Sequence, residues 1–163
     1  MNTEPLEHLT QKIVESLIKL IPEEWDQIMF YAEYEDGASD HFFYYFKKDS
    51  AEFIPSIEMA YILDLDHDEW YKSDRQIDVL IEELGDEFIR QERQPFTSLT
   101  LSISEEGQLK LDYGHEQLND RPLPKTEEKF AETFVYPESK KRQKAGLPPQ
   151  PEGWLSKIRN LFG

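Results

Sequence analysis

Carboxylates are the most abundant residues in this sequence that could bind a metal ion or take part in catalysis. Their spacing along the chain indicates which of these functions is possible. Asp64, Asp66 and Asp68 occupy alternate positions, as the first ligands of a calcium-binding loop do. Such a loop needs glycine at its sixth position and glutamate at its twelfth, where this chain has Glu69 and Arg75. The pattern therefore predicts an acidic loop over residues 64–69 and not a calcium site.

The other residue types that carry catalysis form no recognisable site. The four histidines are far apart, none of them stands at metal-ligand spacing from another, and cysteine is absent. No glycine-rich phosphate loop opens a helix, and neither Ser39 nor Ser104 has the small-residue turn of a nucleophile. No two of the 34 acids stand out as a catalytic pair. We therefore predict no catalytic residue, no metal, no cofactor and no enzyme activity.

Tyrosine and carboxylate residues are interleaved between residues 31 and 45, which suggests a binding surface. Core packing accounts for most of these aromatic residues, but tyrosine beside carboxylate is also the composition of a surface that binds an Arg- or Lys-rich partner. Together with the acidic loop, this gives a set of candidate partner-binding residues: Tyr31, Glu33, Glu35, Asp36, Asp40, Tyr45, Asp64, Asp66, Asp68 and Glu69.

The negative charge is confined to one part of the chain. The formal net charge is −16; residues 1–93 contain 24 acids and 8 bases, and residues 94–163 contain 10 of each. One interpretation is that the acids only keep the protein in solution. The other is an acidic face that steers a basic partner at a high association rate. Either way, direct binding to DNA, RNA or anionic lipid is disfavoured, because their phosphates would be repelled.

The first residues and the length of the apolar runs indicate where in the cell the protein is expected. The first residues lack the positive start and apolar stretch of a signal peptide, and the apolar runs are too short to span a membrane. We therefore expect a cytoplasmic protein with no membrane contact.

Hydrophobic periodicity predicts the elements that must hold these acids. Apolar residues every three or four positions predict helices over residues 6–20 and 70–92. Alternation predicts strands over 25–35, 41–47, 57–63, 99–103 and 109–113, with turns at Asp36-Gly37 and Glu106-Gly107. The strand over 41–47 is aromatic on both faces, so we expect it either to be central in the sheet or to be covered on both sides. The order α-β-β-β-α-β-β-α predicts an α+β domain with a mainly antiparallel sheet covered by helices.

The remaining third of the chain is less regular. Residues 125–144 are predicted to be partly helical and interrupted by Pro137. The basic run 140–144 is better explained as a solvated helix end than as a nucleic-acid site. Residues 146–151 are expected to form a stiff proline-rich linker, followed by a short amphipathic helix over 154–162 that either docks on the domain or contacts a partner. We thus predict one α+β domain over 1–145 and an appended segment over 146–163.

Several segments together resemble the YezG/EsaG family. They are Ile21-Pro22-Glu23-Glu24-Trp25, the strand that reaches Asp36-Gly37, the aromatic run 41–46, the entry Gln94-Pro95-Phe96-Thr97-Ser98, residues 105–113 and Gly146-Leu147-Pro148. The similarity covers about residues 5 to 149, while residues 115–137 match poorly and the helix over 154–162 is additional.

The resemblance implies an immunity protein, or antitoxin, against a nuclease toxin exported by type VII secretion in Firmicutes. A nuclease needs a basic groove for its substrate, and an acidic inhibitor would be drawn to it. On this interpretation the partner is the cognate nuclease domain, bound without catalysis in the producing cell. The alternatives are an acidic adaptor or regulatory domain unrelated to toxins and, less favoured, a hydrolase with acidic metal ligands. The sequence leaves the oligomeric state open.

Overall fold

A single antiparallel sheet is the frame of the molecule. The computed structural model describes residues 2–118 and 122–151. Its strands are β1 (Trp25–Glu35), β2 (Ala38–Lys47), β3 (Phe53–Pro55), β4 (Ser98–Ser104) and β5 (Leu109–Gly114), in the spatial order β3-β2-β1-β4-β5. Every neighbouring pair runs antiparallel. The predicted α+β class with a mainly antiparallel sheet is confirmed.

Helices cover both faces of this sheet. One face packs against α1 (Glu4–Leu20), α2 (Ser56–Ile62) and α3 (His67–Arg90). The other face packs against α4 (Leu123–Phe130), a π-helical turn (Ala131–Val135) and α5 (Tyr136–Lys144), which follow one another without a break. Burial of apolar side chains on both sides supplies the main driving force for this layered arrangement.

The aromatic strand β2 contributes to both cores. Phe43 and Tyr45 point into the larger core under α1 and α3, whereas Phe42, Tyr44 and Phe46 point into the smaller core under α4 and the π-helical turn. Because successive side chains of a strand alternate between faces, a strand that is apolar at every position must be covered on both sides. Of the two expectations for this strand, coverage on both faces is confirmed, and β2 also lies between β3 and β1 rather than at an edge.

The predicted strand over residues 57–63 is wrong. The third strand is Phe53–Pro55, and residues 56–62 form α2. Proline has no N–H to continue the ladder, and the Glu58-Met59-Ala60 run favours a helix. In that helix Met59 and Ala60 are buried, while Tyr61 faces outward, so the alternation in the sequence was misleading.

Two further boundaries differ from the sequence prediction. The second long helix begins at His67 rather than at residue 70, so the acidic loop is shorter, and Asp68 and Glu69 lie in the first turn of α3. Pro137 does not end the helical run, which continues through it from the π-helical turn into α5. The helix widens into the π-helical turn just before it.

Residues 146–151 lie along the outer edge of β3. The Ala51 N–H donates to the Pro148 carbonyl at 2.8 Å. The Gln150 side chain accepts from the Phe53 N–H at 2.8 Å and donates to the Phe53 carbonyl at 3.1 Å, as a neighbouring strand would. This segment therefore covers one edge of the sheet. The predicted helix over 154–162 lies outside the described residues, and the boundary at residue 145 stays a prediction.

Candidate partner-binding surface

The β1–β2 hairpin presents four carboxylates, which we call the hairpin acids: Glu33, Glu35, Asp36 and Asp40. Its two-residue turn is Asp36-Gly37, and both residues have positive φ, of 52° and 81°. This is the geometry that an Asp-Gly turn between twisted strands favours. Glu33 and Asp40 face each other across the two strands, and Glu35, Asp36 and Asp40 are exposed. The structure therefore brings the predicted hairpin acids together at one end of the sheet.

The two tyrosines predicted for this surface lie in the cores. The Tyr31 ring is buried 5.1 Å from the Phe42 ring, and its hydroxyl donates to Glu33 at 2.7 Å. The Tyr45 ring is fully buried on the opposite face of the sheet, and its hydroxyl donates to Glu23. Tyr31 thus holds the Glu33 side chain from within the core. Tyr45 is fully buried and cannot contact a partner.

One face of α3 adds a second row of carboxylates beside the hairpin. These α3 acids recur every fourth residue, which places them on one side of the helix: Asp74, Asp78, Glu82 and Asp86. Three contacts attach them to the hairpin. The Tyr34 hydroxyl donates to Asp86 at 2.7 Å, the Ser39 hydroxyl donates to the Asp78 carbonyl at 2.9 Å, and the His41 ring lies between Asp74 and Asp78. We call the hairpin acids and the α3 acids together the acidic strip.

His41 is the cation inside the acidic strip. Its Nδ1 is 2.7 Å from Asp78 and its Nε2 is 2.7 Å from Asp74. Burial disfavours the charged ring, but the hydrogen bonds to Asp74 and Asp78 outweigh it and raise the pKa of His41 to about 9. The ring therefore carries a proton at neutral pH and clamps β2 to α3.

Three groups in or beside the strip, Asp40, Glu82 and Tyr34, are held in an environment that disfavours their negatively charged forms. Burial and then the nearby Asp78 and Asp74 raise the pKa of Asp40, although its hydrogen bond with the His41 backbone opposes this. Burial, followed by Asp78 and Asp86, raises the pKa of Glu82. Burial and Asp86 raise the pKa of Tyr34 to about 12. Crowded carboxylates of this kind repel each other, and a cationic side chain placed among them would relieve that repulsion.

The loop acids, Asp64, Asp66, Asp68 and Glu69, lie at the other end of α3. The Asp66 side chain caps the helix by accepting from the Glu69 N–H at 3.0 Å, and Asp64 has a φ of 54°. Twelve helical residues separate Asp66 from Asp78, which corresponds to about 18 Å. The loop acids and the hairpin acids are therefore not one compact patch. The α3 acids, which the sequence analysis did not select, lie between them.

An exposed apolar patch on α2 lies next to the loop acids. The sequence analysis did not predict this patch. Tyr61 is 63% exposed, Ile57 44% and Ile62 41%. The Tyr61 ring lies 5.9 Å from the His67 ring, and the Tyr71 hydroxyl donates to the Ile57 carbonyl at 3.3 Å. The prediction of a strand over 57–63 concealed this patch, and the helix-forming residues 58–60 were the signal for the correct geometry. Exposed aromatic and aliphatic residues beside charged ones have the composition of an interface centre.

Comparison with known proteins then decides the family. The family model described as "Immunity protein YezG-like" matches residues 6–144. The chain belongs to the YezG-like immunity protein family. Among its relatives, Immunity protein YezG of Bacillus spizizenii is 28% identical over 118 residues, which cover 72% of this chain and 73% of the relative. Immunity protein YezG of Bacillus subtilis is 28% identical over 113 residues, covering 69% and 75%. Type VII secretion system protein EsaG of Staphylococcus aureus is 28% identical over 116 residues, covering 69% of each chain.

The family match spans every element that builds the candidate surface. It runs from α1 to the last residue of α5, so the hairpin, α2 and α3 of this YezG-like chain all lie inside it. Within residues 2–118 and 122–151, no group of three or more histidines and acids is arranged to hold a metal ion. None of the helices in those ranges is both long and apolar enough to cross a membrane.

Proposed function

We propose that this YezG-like protein binds and neutralises a cognate nuclease toxin, exported by a type VII secretion system, in the cytoplasm of the cell that produces it. Family membership supplies the immunity role and implies a toxin as partner. The nuclease, and the absence of catalysis by the immunity protein itself, are the parts that we infer from the surface.

The observation that carries the proposal is the concentration of carboxylates along α3 and the hairpin. A nuclease holds the phosphates of its substrate with a basic groove, and an acidic surface is attracted to the same groove. The acidic strip provides a long negative surface in which the His41 ring is already clamped between Asp74 and Asp78. The acids around it are available for arginine and lysine side chains, which form the strongest hydrogen bonds with carboxylates.

The apolar patch on α2 completes this surface. Electrostatic attraction accelerates association, whereas buried aromatic and aliphatic side chains slow dissociation. Tyr61, Ile57 and Ile62 are exposed next to the loop acids, so one surface combines both properties. We propose that the α2 patch anchors the nuclease while the acidic strip and loop acids orient it.

Association kinetics with the cognate nuclease domain, which would first be sought among the neighbouring genes, would test the proposal. Asp66 caps α3, and Asp36 and Asp64 have positive φ, so substitutions at these three would also disturb the fold. A cleaner variant is Glu35→Gln with Asp68→Asn and Glu69→Gln, all at exposed positions. The matched control is Glu15→Gln with Glu106→Gln and Glu132→Gln, which removes the same charge from exposed sites elsewhere.

At low salt, the first triple variant should associate several-fold more slowly than the parent and show a weaker salt dependence. The control triple should associate at close to the parental rate. A chain that neither binds the nuclease domain nor protects cells expressing it would contradict the proposed function. If the two triple variants slowed association equally, the interface would have to lie on another surface.

A further inference from the structure

The two edge strands of the sheet, β3 and β5, differ in whether their outer backbone groups form hydrogen bonds with other described residues. The outer edge of β3 is occupied by Pro148 and by the Gln150 side chain, which satisfies both the N–H and the carbonyl of Phe53. β5 is the other edge, and no strand among the described residues pairs with its outer side. An unpaired edge strand offers a row of backbone donors and acceptors to another strand.

The backbone direction of β5 can be read from its pairing with β4. The Ser104 N–H donates to the Gln108 carbonyl at 2.9 Å, in the same register that pairs Ser102 with Lys110. Since bonding groups alternate along an antiparallel strand, Lys110 and Asp112 bond to β4. The N–H and carbonyl groups of Leu109, Leu111 and Tyr113 therefore point outward from the sheet.

The side chains of β5 are arranged in two distinct rows. Leu109, Leu111 and Tyr113 line an apolar groove of about 660 Å³ beneath α1. Lys110 and Asp112 lie on the opposite face of the sheet, and neither forms an ion pair with any residue in the described ranges. Among the described residues, the edge thus carries one positive and one negative charge without an ion-pair partner, two residues apart.

This spacing is self-complementary. If a second β5 pairs antiparallel with the first about a two-fold axis at Leu111, each Lys110 lies opposite Asp112 of the second copy, and Leu109 lies opposite Tyr113 of the second copy. Shifting the register by two residues in either direction would instead place Lys110 opposite Lys110 or Asp112 opposite Asp112. Like charges directly opposite are unfavourable and opposite charges favourable, so the charges select one register.

We propose that two copies of this chain associate through β5 and form one continuous antiparallel sheet. Leu109, Leu111 and Tyr113 of the second copy would extend the apolar wall under α1, and both copies would close their open edges. Residues 94–163 contain 10 acids and 10 bases, so the contact forms in the neutral part of each strongly acidic molecule. Symmetric contacts of this isologous kind are the usual way in which identical subunits pair.

Charge exchange across the interface would test the proposal. The full chain at about physiological ionic strength, which screens the repulsion between two molecules of net charge −16, should sediment as a species of twice 19.3 kDa at high concentration. Lys110→Asp places two aspartates opposite each other at both ends of the contact and should weaken self-association about tenfold or more. Asp112→Lys should do the same with lysines, whereas the matched control Lys12→Asp, at an exposed position of α1, should leave self-association unchanged.

Mixing the two single variants gives the decisive measurement. In a Lys110→Asp and Asp112→Lys mixture, every pair across the mixed contact is again one aspartate and one lysine, so a heterodimer should form although neither variant pairs with itself. Far-UV circular dichroism of each variant would verify that it is folded. A parent chain that is monomeric at all concentrations, or a dimer that is indifferent to both substitutions, would overturn the proposal. A monomer whose affinity for the nuclease falls with Lys110→Asp would also overturn it and assign this edge to the toxin.

Discussion

Replacing His41 with glutamine should change the stability of the protein in a strongly pH-dependent way. The His41 side chain lies between β2 and α3, with the residue only 8% exposed, and both of its ring nitrogens contact carboxylates at 2.7 Å. Glutamine keeps a polar side chain at this position but cannot carry the positive charge. The variant would therefore leave Asp74 and Asp78 facing each other without a cation between them.

The size of the effect follows from the pKa of the ring. Its rise from 6.5 to about 9 corresponds to about 3 kcal/mol of stability, because one pKa unit equals about 1.4 kcal/mol. The folded state holds the proton more tightly than the unfolded chain does. The contribution is therefore complete below pH 6.5, declines as the pH rises from 6.5 to about 9, and is absent at higher pH.

Urea unfolding followed by tryptophan fluorescence would measure this difference. His41→Gln should lower the free energy of unfolding by about 3 kcal/mol near pH 6 and by less than about 1 kcal/mol near pH 9.5, where the parent ring is also neutral. His8→Gln, at an exposed position of α1, is the matched control and should give the same free energy of unfolding as the parent at both pH values.

Two results would refute the reasoning. An equal loss of stability at both pH values would show that His41 contributes through packing, including the contact of its ring with Phe30 at 5.6 Å, and not through charge. A midpoint near 6.5 for the His41 ring in an NMR titration would show that the two aspartates do not hold its proton.

Two other substitutions probe the cores. Glu58 is 2% exposed, its Oε1 has no hydrogen-bond partner among the described residues, and burial raises its pKa. Glu58→Met should therefore raise the free energy of unfolding by about 1–3 kcal/mol at neutral pH. This gain should shrink as the pH falls and the parent carboxyl becomes protonated; a pH-independent gain in urea titrations would contradict the charge argument. Gly85→Ala should lower the melting temperature although alanine favours helices, because the new Cβ would lie 2.3 Å from the Tyr34 ring and such overpacking costs about 1–3 kcal/mol. An unchanged melting temperature would show that the ring moves away freely.

Most of the elements could be predicted from the sequence because their signals are local. The 3.6-residue period marked α1 and α3, strict alternation marked β4 and β5, and Asp36-Gly37 marked the hairpin turn. The prediction failed where a short segment fitted two periods. Residues 57–63 alternate like a strand, but Pro55 ends the ladder, and the following residues coil into α2.

The candidate surface was predicted only in part. The hairpin acids are adjacent in sequence, so a turn signal was enough to place them together. The α3 acids were not selected, since nothing in the sequence shows which flank of that helix contacts β2. Tyr31 and Tyr45 were chosen for the type of residue, and burial in the two cores placed both rings away from the surface.

The sequence by itself determined the charge distribution, the α+β class and the positions of most helices and strands, since each depends on composition or on short-range periodicity. Only the tertiary structure decided which charges act together. The acidic strip exists because β2 packs against α3, which brings His41 to Asp74 and Asp78 across more than thirty residues of chain. Likewise, only the order of the strands shows that Gln150 covers one edge of the sheet while no described strand pairs with the outer side of β5. Such pairings are set by burial of the cores between the layers, and no local pattern records them.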